Sequence, residues 1–361
     1  METVLFVGTY SRRGSRGIYS CALDRDMGAI RVLSTTPVEN ASFLALTPGG
    51  KTLLACLEVG EITGVEGAGL ASYRIGANGE LSPLSVVNIG AKYACHVAVS
   101  PDGRFAATSQ YGGGAHTMVP IGADGTLGVV AAFVENRGVT GHKPAQDAPH
   151  AHSAWFSPDG SLLVCCDLGL DTLFVRRVNP ETGALTLVSE TRLSPGSGPR
   201  HFAWSPNLAG VGYVVNEHGS TVMRLHLSNE TLVVEQTVPT LPPDLQAQAE
   251  AGTYPNACAD IRVSADGRFV YASNRGHDSL ASYAVGKNGD LTLLGHVPCG
   301  GEHPRNFSLV PGTDLLLCAN QDSDTVTVFR IGADGVPVAT GAVSELSAPV
   351  CLLVTEQTVN Q

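Results

Sequence analysis

Hydrophobic residues along this chain come in short runs separated by polar turns, and the order of runs and turns repeats. In its fullest form the unit reads hydrophobic run, Ser-Pro-Asp-Gly, second run, Gly-rich or charged loop, third run, Asp-Gly turn, fourth run. One copy starts at His96 with HVAVSPDGRFAATSQYGGG and continues as HTMVPIGADGTLGVV; another, DIRVSADGRFVYASNRGHDSLASYAVGKNGDLTLLG, starts at Asp260. The turn ending the first run is anchored at Thr47, Ser100, Ser157, Ser205, Ser264 and Val310, spaced 46 to 59 residues apart. A unit of four short strands repeated at this spacing predicts a blade of a β-propeller. The units are longer than a WD40 repeat and none closes on Trp-Asp, which argues against a WD40 protein.

A second recurring turn lies between the third and fourth runs: GANGEL (Gly76–Leu81), GADGTL (Gly122–Leu127), GKNGDL (Gly286–Leu291) and GADGVP (Gly332–Pro337). Asn-Gly and Asp-Gly suit type I′ hairpins, whose two central residues both need φ > 0. The chain ends are incomplete in a complementary way. TVLFVGTY at the start matches a second strand, and PVCLLV (Pro349–Val354) matches a first strand. The C-terminal strand is therefore expected to complete the N-terminal blade and leave no open sheet edge at the seam. Six anchored copies plus this composite predict an all-β, seven-bladed β-propeller of four-stranded blades, with residues 1–361 forming one domain. Pro242–Pro255 is the one helix-friendly stretch and reads as an inserted loop.

Composition narrows the partners. The net charge is −11 and no run is rich in Lys or Arg, so nucleic acid is not an expected partner. No apolar run approaches a membrane span, and no secretory signal pattern precedes the first strand, so a cytoplasmic location is expected. Cysteine numbers nine, with Cys21, Cys56, Cys165 and Cys318 inside strand patterns, which suits small buried hydrophobes in a reducing compartment. There is no Cys-x-x-Cys pair, so a structural zinc site is not expected. The Asn-x-Ser/Thr triplets at Asn40, Asn229 and Asn306 then read as chance glycosylation matches.

The start of each first strand and the end of each second strand meet at one rim of the channel. Five residues before the anchors lie Ser42, Cys95, His152, Arg200, Ala259 and Arg305; four before lie Phe43, His96, Ser153, His201, Asp260 and Asn306. The second strands end in Glu58, Gln110, Tyr111, Asp167, Asn216, Glu217, His218, Asn274, Arg275, Asn320 and Gln321. The opposite rim carries the Ser-Pro-Asp-Gly turns, which are routine turn chemistry. One mouth thus gathers His96, His150, His152, His201, Glu217, Arg200, Arg275 and Arg305. Arginines beside carboxamides and histidines suit a small anionic molecule, because the guanidinium fork matches carboxylate or phosphate. A rim Arg is commonly a blade-to-blade ion pair, His201 commonly bonds to backbone, and Glu217 could simply pair with Arg275. His150 and His152 share a strand face like a metal pair, but no third ligand stands at fixed spacing, so no metal or other cofactor is expected.

Several motifs at these positions resemble the seven-bladed propeller lactonases, a family that includes the propeller-type 6-phosphogluconolactonases and the fungal carboxy-cis,cis-muconate cyclase. They are FVGTYS (Phe6–Ser11), PHAHS (Pro149–Ser153), GPRHF (Gly198–Phe202), VVNEHGSTV (Val214–Val222), ASNRGHDSL (Ala272–Leu280) and HPRNF (His303–Phe307). The resemblance implies a functional set of His152, Arg200, Glu217 and Arg275. It implies a lactonase or a cyclase; the leading expectation is a lactonase acting on a sugar lactone, with 6-phospho-D-glucono-1,5-lactone first, and the alternatives are a muconate-type cycloisomerase or a lactonase of aromatic-compound degradation, and a non-enzymatic binding propeller. Ester hydrolysis needs an activated water and a donor for the developing oxyanion. His152 is the expected base, since imidazole ordinarily titrates at about 6.5. Glu217 beside Arg275 is expected to be the weaker base and the better orienter. Arg200 and Arg275 are expected to bind phosphate or stabilise the oxyanion, with His150, His201, Arg305, Asn274 and His96 lining the substrate.

Overall fold

The computed structural model describes residues 1–359. Seven four-stranded antiparallel sheets stand around a central channel. Numbered from the N-terminus, blades 2 to 7 have inner strands Ala41–Leu46, Ala94–Val99, Ala151–Phe156, Pro199–Trp204, Ala257–Val263 and Pro304–Leu309. Their second strands are Thr52–Leu57, Phe105–Gln110, Leu162–Asp167, Val211–Asn216, Phe269–Arg275 and Leu315–Asn320. In blade 1 the inner strand is Pro349–Thr358, from the far end of the chain, and it pairs antiparallel with Glu2–Thr9. Leu5 lies opposite Val354 and Gly8 opposite Cys351, so the two ends of the chain share one sheet. Each inner strand packs on the next, and Pro349–Thr358 packs on both Pro304–Leu309 and Ala41–Leu46, which closes the ring.

The hydrophobic pattern follows from this packing. A second strand is covered on both faces by neighbouring blades, so Leu53, Leu54, Ala55, Cys56 and Leu57 are all buried, as are Val211, Tyr213, Val214 and Val215. Continuous apolar runs are the signature of such doubly covered strands. The outermost strands, such as Leu185–Arg192, mix exposed and half-buried positions because one face meets solvent. Full burial of a Val, Leu or Phe side chain contributes about 1.5–3 kcal/mol, so contacts between blades carry the ring.

Turn chemistry separates the two rims. At the rim away from the bulk of the histidines, the Ser100, Ser157 and Ser264 hydroxyls bond to Asp102, Asp159 and Asp266 two residues on. The turns between third and fourth strands depart from the type I′ expectation in three of four blades. Only Asn78-Gly79 has both residues at positive φ; Gly125, Gly289 and Gly335 are left-handed while the residues before them are not. The bonds from Gly125 N to Gly122 O and from Gly122 N to Thr126 O describe the longer alternative, a type I turn followed by a left-handed glycine. The loop has one residue more than a type I′ hairpin needs, so a single left-handed position suffices. Gly335 shows why that position is glycine: φ is 85°, and a Cβ would stand 2.2 Å from Phe269 of the preceding blade. The stretch expected as an inserted loop contains a helix, Pro243–Glu250, between blades 5 and 6.

Candidate active site

The mouth is built by a repeated irregularity in the inner strands. Pairing between inner and second strand slips at Ala41/Phe43, Ala94/His96, Ala151/Ser153, Pro199/His201, Cys258/Ile261 and Pro304/Asn306. The residues left out of the ladder are Ser42, Cys95, His152, Arg200, Ala259 with Asp260, and Arg305. A β-bulge leaves one residue unpaired and re-aims its side chain. In blades 2 to 7 the slip falls on the residue five positions before each anchor, together with Asp260 in blade 6. In six of the seven blades the residue after the second strand is pinned beside it. Backbone N–H groups of Tyr10, Glu58, Tyr111, Leu168, Glu217 and Gln321 donate to Ala348, Asn40, Tyr93, His150, Gly198 and His303 carbonyls, just ahead of the inner strands.

On one wall Glu217 Oε2 stands 2.9 Å from Arg200 Nε and 2.7 Å from Arg275 Nη2. Arg200 Nη1 also donates to the Ala259 carbonyl. Arg275 donates from Nε to Ala257 O at 3.0 Å and from Nη2 to Cys258 O at 2.9 Å. Both guanidiniums are therefore fixed by backbone and by one shared carboxylate, and Arg200 is only 2% exposed. Two cations and one anion leave one net positive charge facing the mouth. Burial alone would raise the Glu217 carboxyl, but Arg275 and Arg200 outweigh it and hold it down at about 2. A carboxyl held this low stays anionic beside the two guanidiniums.

His152 lies against this wall. Its Nδ1 is 3.9 Å from the Cys95 sulfur, and its ring lies 5.4 Å from His201 and 5.9 Å from Tyr111. Its Nε2 has no hydrogen-bond partner among the described residues, yet it is not sealed from the mouth. Burial, then the charges of Arg200, His201, Arg305 and Arg275, push its pKa well below the ordinary value. The expectation of an unperturbed imidazole is corrected accordingly: burial and the surrounding cations favour the neutral form of His152.

The remaining candidates take different places. His150 stacks on Tyr111 at 4.2 Å, with Nδ1 against the Tyr111 carbonyl and Nε2 against Asp147, each at 2.9 Å. Both nitrogens are occupied, so His150 shapes the rim. His201 lies beneath Arg200: Arg200 Nη1 donates to His201 Nε2 at 3.4 Å, and His201 Nδ1 donates to Asp260 at 2.8 Å. Asp260 is held in turn by Arg262 at 3.0 Å and by Asn306 at 2.7 Å. Burial and Arg200 hold the His201 pKa down at about 4. This places His201 as a support for Arg200 in place of the substrate contact expected. His96 is fully buried deeper in the channel, between Phe43 and Trp155 at 4.4 and 4.6 Å. Asn274 points into its own blade, donating to Thr240 O and Ser279 Oγ and accepting from Asn256. Successive strand residues face opposite sides, so Arg275 reaches the channel and Asn274 cannot. His96 and Asn274 thus drop out of the substrate-lining set.

Tyr10 and Glu58 join the mouth, the Tyr10 hydroxyl donating to Glu58 Oε2 at 2.9 Å. Tyr10 was missed because the first blade carries no anchor near it. Aligning FVGTY with the other second strands would have placed it at the register of Glu217. Among the described residues no group of three or more His, Cys, Asp or Glu side chains could hold a metal ion.

Known proteins with this architecture have been assigned activities. The chain is 32% identical to the 6-phosphogluconolactonase of Formosa agariphila over 340 residues, covering 90% of this chain and 92% of that protein. It is also 32% identical to the 6-phosphogluconolactonase of Bacillus subtilis over 339 residues, covering 90% of each. The periplasmic gluconolactonase of Pseudomonas aeruginosa superposes with a TM-score of 0.90 at 30% identity, over 100% of both chains. The profile of the family described as "Lactonase, 7-bladed beta-propeller" matches residues 4–354, and with blades, seam and mouth in place the chain belongs to that family.

Proposed function

We propose that this protein hydrolyses a sugar lactone, with 6-phospho-D-glucono-1,5-lactone as the leading substrate and 6-phosphogluconate as the product. The observation that carries the mechanism is a neutral imidazole with a free Nε2 beside a fixed arginine pair of net positive charge. His152 Nε2 takes a proton from water, and the resulting hydroxide adds to the lactone carbonyl. Arg200 and Arg275 stabilise the charge that develops on the carbonyl oxygen; they need no rearrangement, since Glu217 and backbone carbonyls already hold them. Collapse of the adduct breaks the bond from carbonyl carbon to ring oxygen, and His152 returns its proton to that oxygen. One water is consumed and one hydroxy acid released, with no cofactor in the scheme. We take the reaction to be metal-independent, because base and oxyanion donors are all side chains of this chain.

The 6-phosphogluconolactonase and gluconolactonase names among the relatives support hydrolysis, and the cycloisomerase and binding-module alternatives are not carried further. The substrate is a small anion or a neutral sugar; the net charge of −11 argues against nucleic acid as a partner, and among the described residues no helix is long and apolar enough to cross a membrane. Nine buried free cysteines support a reducing, cytoplasmic setting. The test is direct: purified protein is mixed with each lactone and acid release is followed by a pH indicator. Hydrolysis well above the spontaneous rate is expected. A rate equal to buffer for both phosphorylated and unphosphorylated gluconolactone would overturn the proposal.

A further inference from the structure

The three arginines of the mouth are not equivalent. Arg200 and Arg275 are committed to Glu217 and to backbone carbonyls. Arg305 makes no hydrogen bond and no ion pair among the described residues, and none of its nitrogens is sealed from solvent. Its guanidinium carbon lies 5.1 Å from the Tyr10 ring centroid, while Glu58 and Glu217 act on it electrostatically without forming an ion pair. Arg12 approaches the same ring at 5.3 Å. The acidic groups of this corner have other partners: Asp322 is ion-paired with Arg12 at 3.2 Å and Arg13 at 3.4 Å, and Glu58 accepts from the Tyr10 hydroxyl. Stacking on an aromatic face orients a guanidinium while leaving its N–H edge free. That edge is a planar, two-pronged donor suited to a phosphate.

In 6-phospho-D-glucono-1,5-lactone the phosphate hangs from C6, next to the ring oxygen and only a few bonds from the reacting carbonyl, so its site must be distinct from the oxyanion wall yet close to it. Arg305, between blades 7 and 1, is separate from the Arg200–Glu217–Arg275 wall of blades 5 and 6 yet shares the mouth with it. We propose that Arg305, stacked on Tyr10, binds the substrate's phosphate and sets a preference for phosphorylated over unphosphorylated lactone. This deepens the lactonase reading and rests on it. It also moves the phosphate away from Arg200, which the sequence had favoured and whose guanidinium is already committed.

The experiment compares wild type, Arg305→Met and Arg305→Lys on 6-phosphogluconolactone and gluconolactone. A calorimetric titration with inorganic phosphate, and a thermal melt of each variant, run alongside. Loss of a charge-assisted contact is expected to lower the ratio of kcat/KM for phosphorylated over unphosphorylated lactone by about 10- to 150-fold in Arg305→Met. Arg305→Lys should recover part of it, as a point charge without the fork. Phosphate affinity should fall in parallel, in folded protein. Equal losses on both lactones would overturn the proposal and assign Arg305 to the sugar ring. So would an unchanged ratio, or a wild type that prefers neither lactone; in each case hydrolysis itself would stand. If wild type hydrolyses neither lactone, the lactonase reading fails instead. The titration then decides the anion site: undiminished phosphate binding in Arg305→Met would overturn it.

Discussion

Replacing Glu217 by Gln preserves side-chain shape and removes the one negative charge shared by Arg200 and Arg275. The magnitude follows from the pair geometry. Arg275 and Arg200, at 2.7 and 2.9 Å, overcome the cost of burial and hold the carboxyl at about 2 where 4.5 is usual. That corresponds to about 3 kcal/mol in favour of the ionised form in the folded protein. Because the folded value lies below the unfolded one, this stability is fully present above about pH 5 and is lost as the pH falls toward 2. Glu217→Gln should therefore be less stable than wild type by roughly 2–3 kcal/mol at pH 7, with the gap closing on acidification. Urea unfolding followed by the fluorescence of Trp155 and Trp204 at pH 7, 5 and 3 measures it. Activity should fall about 10²- to 10³-fold, as when an oxyanion donor is lost, because the two guanidiniums lose their shared anchor. A variant as stable as wild type at pH 7, or a gap that stays constant down to pH 3, would refute the reasoning.

Four further outcomes are expected. His152→Ala should lower turnover by roughly 10²–10⁴-fold; in wild type the acid limb of kcat/KM should lie below the ordinary histidine position, since burial and the nearby arginines push the His152 pKa down, and a limb at the ordinary position would remove His152 from the role of base. Deleting the chain after Ser347 should strip the inner strand from blade 1, expose the edge of Glu2–Thr9 and give aggregated protein; a soluble, active truncation would argue against closure by this strand. Gly335→Ala should lower the unfolding midpoint by an amount equivalent to at least ~1 kcal/mol, because φ is 85° and the new Cβ meets Phe269; an unchanged midpoint would show that the blade contact yields freely. Activity should survive prolonged EDTA treatment, whereas loss restored by a divalent cation would reveal a metal role for the mouth.

The blades were legible from the chain because a strand covered on both faces must be apolar throughout, and tight turns must carry Gly, Asp or Asn. Those two demands write the repeat, its count and its incomplete ends directly into residue order. Position relative to the turns then placed His152, Arg200, Glu217, Arg275 and Arg305 at one mouth without any contact being known. What residue order could not express was the direction and occupancy of each side chain. Asn274 and Arg275 are neighbours, yet strand alternation sends one into the blade and the other into the channel. His96 and His201 follow directly after the bulge residues Cys95 and Arg200, so one residue separates the mouth from the channel interior. The three arginines are chemically identical in sequence. Their difference arises only when the ring closes, because Glu217 of blade 5 meets Arg200 and Arg275 of blades 5 and 6. Arg305 of blade 7 meets instead the ring of Tyr10, more than 290 residues away in the chain, and is left with its donors free.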